Sequence, residues 1–308
     1  MDKRSTGMLM IAVMVLMTLA YFSARDTDPV ALQLGRVVFA DLKPSLDQVA
    51  HVSINSGQAA VTLEKRTGVW RVVDREGYRV DMAQLSRLLR GLADMLYLER
   101  KTSNPERFAA LGLADRDTQN GAATYVELRT PNQRWSLLVG AAPVSRAGQY
   151  IRRPEQDQAW LVDQGLVLNS TPEKWLSPVI LNVDSEQIKA VILSQPNARR
   201  VEISNKSDAL GQVENARITN LPNGVSVPYA GAADEVTRAL VNLRLQDVQT
   251  FNSIDWRDAI AAQFDLINNK TLLIRGVMVA SECWISVSLG SYFSVEDRLI
   301  YGLGNDVE

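Results

Sequence analysis

The chain opens on a stretch without charge. Residues 7–24 carry none, and Met8-Leu9-Met10-Ile11-Ala12-Val13-Met14-Val15-Leu16-Met17 is apolar on every side of a helix. A helix that is apolar all round belongs in lipid or deep in a core. At 1.5 Å per residue the stretch reaches roughly 27 Å, close to the thickness of a bilayer's hydrocarbon. Lys3 and Arg4 precede it, while Arg25, Asp26 and Asp28 end it. Basic flanks stay on the cytoplasmic side, so residues 1–24 read as a single-pass inner-membrane anchor with a periplasmic body behind it. The rival reading is a cleaved signal peptide. Its best cut follows Ala20, with Thr18 two residues before, a poor small-residue match. Tyr21 and Phe22 fit an interfacial aromatic edge better.

Beyond the anchor the period changes. Residues 25–48 read as a stalk or linker, with a candidate strand at Val37-Val38-Phe39 and a break at Pro44. Val52 and Ile54, then Val61 and Leu63, alternate with polar neighbours, and Val69-Trp70-Arg71-Val72-Val73 follows Gly68. Period two between turn residues predicts half-buried strands. Asp81 is a good helix N-cap, and Gln84 three residues on can complete a capping box. Leu85, Leu88, Leu89, Leu92 and Leu96 then form one apolar stripe. A second short helix is expected from Asn104-Pro105-Glu106 to Leu111, closed by Gly112. Strands resume at 124–128 and 135–139, and 149–152 with 159–162 reads as a hairpin.

The same order recurs. Val191-Ile192-Leu193 and Val201-Glu202-Ile203 reprise the opening strands, and Arg217-Ile218-Thr219 with Val225-Ser226-Val227 flanks a turn at Pro222-Asn223-Gly224. Val236, Ala239, Leu240 and Leu243 repeat the spacing of the first leucine stripe. A short helix at 255–264 answers 105–111, Thr271-Leu272-Leu273-Ile274 answers 124–128, and 284–290 answers 135–140. The reading is a tandem duplication. The expected fold class is α+β: two similar units of mostly antiparallel sheet with helices on one face, over 49–180 and 181–308. Few residues remain after Gly290, so the second unit is expected to be shortened at its C-terminus.

Composition narrows the chemistry. Net charge is −2 and no long basic run occurs, which argues against nucleic acid. Cys283 is the one cysteine, so neither an intrachain disulfide nor a cysteine-based metal site can form, and it reads as a small apolar filler. His51 is the one histidine. It falls on the strand face opposite Val52 and Ile54, and a surface role fits it better than a catalytic one. No Gly-x-Ser-x-Gly elbow accompanies it. Asp115-Arg116-Asp117 lacks the calcium-loop pattern, and Gly140, Gly148 and Gly165 are too scattered for a phosphate loop. Glu99, Glu127, Asp163 and Asp184 read as strand or loop charges. Trp70, Trp135, Trp160, Trp175 and Trp284 read as core, and Trp256 as a staple on its short helix. No catalytic, cofactor-binding or metal-binding residue is assigned, and no cofactor is expected.

Gly68-Val69-Trp70, Gly77-Tyr78-Arg79-Val80-Asp81, the leucine helix, Glu99-Arg100-Lys101-Thr102 and Leu111-Gly112-Leu113 stand in one order. Leu138-Val139-Gly140, Gly148-Gln149-Tyr150-Ile151-Arg152 and Glu173-Lys174-Trp175-Leu176 continue it. In that order they resemble domain-of-unknown-function family 4340, well over residues 45 to 195 and more loosely beyond. The resemblance implies a single-anchor envelope protein of the kind associated with ABC-type export systems similar to gliding-motility auxiliary proteins. It carries no catalytic residues. The expected function is therefore a non-enzymatic auxiliary subunit, held in the inner membrane by residues 7–24 beside a permease or another auxiliary subunit. A glycan- or lipid-binding envelope module is the alternative, and an envelope hydrolase the second. A reporter fused to the C-terminus is expected to work only if it functions outside the cytoplasm. Reporter activity confined to the cytoplasm would overturn the orientation.

Overall fold

Inward-facing apolar residues alternate along short strands joined by tight turns. The computed structural model describes residues 13–14, 17, 33–114, 122–196, 200–205, 216–227, 229–290 and 299–303. Val52 and Ile54 of β1 (His51–Asn55) and Val61 and Leu63 of β2 (Ala60–Arg66) are buried. Thr67 and Gly68, with φ of 49° and 82°, form the two-residue turn into β3 (Val69–Val72). Positive φ at both positions matches the twist of a hairpin. With β4 (Tyr78–Arg79) the strands make an antiparallel meander in the order β4-β3-β2-β1.

Helix α1 (Met82–Asp94) starts at its expected cap. Asp81 Oδ1 accepts the N–H groups of Ala83 and Gln84 at 2.9 and 3.2 Å. Leu85, Leu88 and Leu92 of the stripe are buried. The capping box stays half formed, because the Asp81 N–H donates instead to the Trp175 carbonyl at 2.7 Å.

Contacts gather the chain into two compact units, each discontinuous in sequence: Met1–Val49 with Arg87–Leu168, and Ala50–Ser86 with Asn169–Glu308. The first holds β5 (Tyr97–Arg100), β6 (Thr124–Arg129), β7 (Arg134–Val139), β8 (Gln149–Arg152) and β9 (Ala159–Val162). Their order is β6-β7-β8-β9-β5, antiparallel throughout. The expected helix after Asn104 is two 3₁₀ turns, Pro105–Arg107 and Ala109–Leu111. Asn104 caps the first by accepting the Glu106 N–H, and Gly112 ends the second at φ 67°. Phe108 and Leu113 are buried there with Ala123, Leu138 and Ala159. The described part of the expected stalk is packed rather than free, since Val38, Phe39 and Leu42 are buried. Residues 43–48 form a 3₁₀ helix started by Pro44.

The second unit adds β10 (Val179–Leu181), β11 (Ile188–Ser194), β12 (Val201–Ser204), β13 (Arg217–Ile218), α2 (Ala232–Arg238), β14 (Leu243–Arg244) and β15 (Asp247–Thr250). It closes with β16 (Ile260–Leu266), β17 (Thr271–Val279), β18 (Glu282–Leu289) and β19 (Leu299–Leu303). β10 pairs with β14, and the rest form an eight-stranded sheet, β13-β12-β11-β16-β17-β18-β19-β15. Ala233 of α2 and Leu240 just after it are buried with Val191, Ile203, Phe264, Ile274 and Ile285 of the sheet.

One strand order occurs twice. The run β16-β17-β18-β19-β15 repeats β6-β7-β8-β9-β5, and β13-β12-β11 repeats β3-β2-β1. The details correct several expectations. Residues 255–264 do not form a helix: from Ile260 onward they are β16, paired with both β11 and β17. Alanine-rich helix propensity there yields to two flanking strands. By sheet position β16 answers β6, β17 answers β7 and β18 answers β8, one strand earlier than the sequence matched them. After each helix five strands join the large sheet in the same order, and the stretch between the first and second of them is residues 251–259 in one set and 101–123 in the other. Val225-Ser226-Val227 is irregular rather than a strand. Prolines 222 and 228 flank it, and proline lacks the N–H a ladder needs.

Of the expected anchor, Val13, Met14 and Met17 are described; they are helical and exposed, and the rest lies outside the described residues. Among the described residues no helix is long and apolar enough to cross a membrane.

Gly140 gives a test of the packing. A Cβ there would sit 2.3 Å from the Leu111 carbonyl oxygen, where Ala141 N–H already donates to that oxygen at 2.9 Å. Gly140→Ala is expected to destabilise the protein by about 1–3 kcal/mol, read as a lower denaturant midpoint at unchanged slope.

Candidate functional site

Two of the segments singled out in the sequence, Gly68-Val69-Trp70 and the end of Gly77-Tyr78-Arg79-Val80-Asp81, meet at one cleft beside Ser177, which follows a third. It is lined by Gly68, Val69, Trp70, Arg79, Val80, Asp81, Met82 and Ser177, with a volume of about 430 Å³. The β2–β3 turn supplies one wall. The other is the segment 79–82, which runs from β4 into α1. Backbone bonds set its position: Val80 N–H donates to Trp70 O at 3.0 Å, Asp81 N–H to Trp175 O at 2.7 Å, and Ser177 N–H to Arg79 O at 2.9 Å. Arg79 Nη2 reaches Val179 O at 2.6 Å, with its guanidinium 5.6 Å from the Tyr78 ring centre. Trp70 is buried, while Val69 and Met82 are 44% and 50% exposed, so the rim offers apolar surface to solvent. Asp81 is committed to the helix amides. The cleft therefore presents apolar walls with a guanidinium and a hydroxyl at their edge, which suits holding an apolar group.

A second, polar cleft of about 300 Å³ belongs to the other unit. Phe39, Asp41, Arg134, Trp135, Ser136, Arg153 and Glu155 line it. Trp135 Nε1 donates to Asp41 at 3.0 Å, and the Arg153 guanidinium lies over the Phe39 ring at 4.9 Å.

The other residues weighed from sequence fall elsewhere. His51 lies on β1 opposite Glu64, its Nδ1 3.8 Å from the carboxylate, and outside the cleft lining. Cys283 is half-buried at the start of β18, and burial pushes its thiol up from the ordinary value. Glu99 pairs with Lys101 and Arg146 at the surface. Asp163 accepts the Leu96 N–H at 2.7 Å. Asp184 precedes the 3₁₀ turn Ser185–Gln187 and does not cap it through its side chain. Asp115-Arg116-Asp117 lies outside the described residues. Among the described residues no group of three histidine, cysteine, aspartate or glutamate side chains could hold a metal ion. Trp70, Trp135, Trp160, Trp175 and Trp284 are all buried. Trp256 staples no helix; its ring stacks on Phe251 at 5.0 Å and its Nε1 donates to the Phe251 carbonyl.

Glu127 is the residue that strand alternation misplaces. It sits on the β6 face opposite Val126 and Leu128, yet is 3% exposed. Burial pushes its carboxyl up, but bonds from Arg129 and Tyr125 and the charge of Arg134 outweigh burial and hold it below the ordinary value. In β16, Asp265 has a similar setting: Gln263 donates to it from two residues before, and Thr271 from the facing strand.

The fold is α+β, mostly antiparallel sheet with few helices. The family model for a domain of unknown function (DUF4340) matches residues 70–262, more than half of the chain, and the chain belongs to that family. Comparison with curated proteins and with solved structures finds no match.

A carboxyl with a depressed folded-state pKa adds stability that is full above its unfolded value and is lost as pH falls through the folded one. Glu127→Gln is therefore expected to cost about 1 kcal/mol at neutral pH, since Arg129 and Arg134 are half-exposed and keep water as partner. The gap to the parent protein should narrow below about pH 4. A gap that stays constant from pH 7 to pH 3 would contradict this.

Proposed function

We propose that the chain is a non-enzymatic, membrane-anchored periplasmic interaction protein that works beside an ABC-type transport system. The apolar start of the chain with its basic tip supports the anchoring and the orientation. The resemblance carried by the ordered motifs supports the transporter association. The observation that carries the interaction role is the cleft, where Gly68-Val69-Trp70, residues 79–82 and Ser177 converge around a half-exposed apolar rim. A cleft of this size takes an apolar side chain or two of a partner protein. The repeated strand order supports a tandem duplication, with residues 251–259 in place of the longer 101–123 segment.

Two observations weigh against the alternatives. Five of the six tryptophans are buried, and the sixth is stacked on Phe251, which leaves none as a flat platform for sugar. His51 faces Glu64 and does not line the cleft, so a histidine base is not supplied there.

Tagged full-length chain, extracted in mild detergent, is expected to bring down the permease or ATPase of a transporter. Met82→Asp should reduce recovery at least tenfold while leaving the unfolding free energy within about 0.5 kcal/mol of the parent, as for other exposed positions. Absence of any transporter subunit with the parent chain would remove the main support for the proposal.

A further inference from the structure

The turn at residues 73–77 joins β3 to β4 and carries Arg75. Its guanidinium is shared three ways. Nε donates to Asp247 Oδ1 at 2.8 Å, Nη2 pairs with Glu173 Oε1, and Nη1 donates to the Asp74 carbonyl at 2.8 Å. Glu173 belongs to the 3₁₀ turn Pro172–Trp175, and Asp247 opens β15. All three side chains are only about a quarter exposed, at 27%, 25% and 27%. Glu173 Oε2 is buried without a hydrogen-bond partner. One cation thus bridges two acids that converge from segments far apart in sequence, and the three side chains together keep a net negative charge.

The residues that follow are bound to the same neighbours. The Tyr78 ring meets Tyr301 edge-on at 5.9 Å, and Tyr301 pairs with Val248, next to Asp247. Val80 bridges to Leu176, and Asp81 N–H reaches Trp175 O, two residues after Glu173. This segment has little regular structure of its own, since β4 is two residues long. Its position depends on these ties, and residues 79–82 form one wall of the cleft.

We propose that Arg75 is an electrostatic latch that sets the cleft wall by drawing Glu173 and Asp247 together on one guanidinium. An exposed ion pair contributes little, because water and salt screen it. Here the pair is largely shielded, and loss of the base leaves two carboxylates facing one another. Like charges at close range repel, so the vacated latch pushes apart. The inference stands whatever occupies the cleft.

The test follows amide exchange in the full-length chain in mild detergent, at Val80 (bonded to Trp70 O) and Asp81 (bonded to Trp175 O). Arg75→Met is expected to speed exchange at both by about tenfold or more, with β11 and β16 amides unchanged. Adding Glu173→Gln and Asp247→Asn to Arg75→Met should bring the rates back to within about threefold of the parent, because the repulsion is gone. Such non-additivity is the signature of a shared charge cluster. Equal rates in Arg75→Met and the triple variant would overturn the latch and leave Arg75 a packing residue. If Arg75→Met does not fold, the triple variant is still expected to fold, with exchange at Val80 and Asp81 within about threefold of the parent, because the repulsion is gone. A triple variant that also fails to fold would overturn the latch and leave Arg75 a packing residue.

Discussion

The pairing of β5 with β9, and of β15 with β19, is the constraint on which both strand sets depend. In each, the first strand of the set waits for the last before it finds a partner. All other pairs within these sets join neighbours along the chain. The edge pair closes a long loop, and loop closure is an entropic cost met before any contact rewards it. Burial is what offsets it. Tyr97 of β5 packs its ring 4.7 Å from Trp160 of β9, both buried, and Val248 of β15 and Ile300 of β19 are likewise buried. The aromatic and branched residues that mark these short strands are therefore not free to serve as an exposed binding platform.

Local physics was legible in the sequence wherever it acted alone. The Asp81 cap, the leucine stripe, the Asn104 cap and Gly112 stop all rest on contacts within four residues, and each is present. The first hairpins were legible because alternation and turn residues agree. The failures lie where remote partners decide. Residues 255–264 have a cap and alanines, yet β11 and β17 on either side make them strand. That error displaced the match of the two strand sets by one strand.

The cleft was legible only in pieces. Gly68-Val69-Trp70, residues 77–81 and Glu173 to Leu176 each stood out, but period and spacing say nothing of their meeting. Glu127 was read as an exposed strand charge, since alternation assigns its face to solvent. The segment 101–123 puts Phe108 and Leu113 in a small core on that face with Tyr125, its neighbour two residues before. Nothing in the sequence marks Arg75 at all. A lone arginine in a turn acquires its role from two acids that only the fold brings near.

These features together explain why the cleft sits where it does. The strands are fixed by ladders and buried rings, and such elements change position only at large cost. The segment 73–82 is different: a charged turn, two residues of strand paired with β3 and a helix start, tied besides by single contacts to residues 173–177, 247 and 301. Local stability is lowest where few apolar contacts and few ladder bonds hold the chain. A partner docked at the cleft as proposed would exchange contacts with that segment rather than with the sheets. The same sheets give that segment a fixed reference, since Trp70 and Trp175, whose carbonyls accept the Val80 and Asp81 N–H groups, are buried.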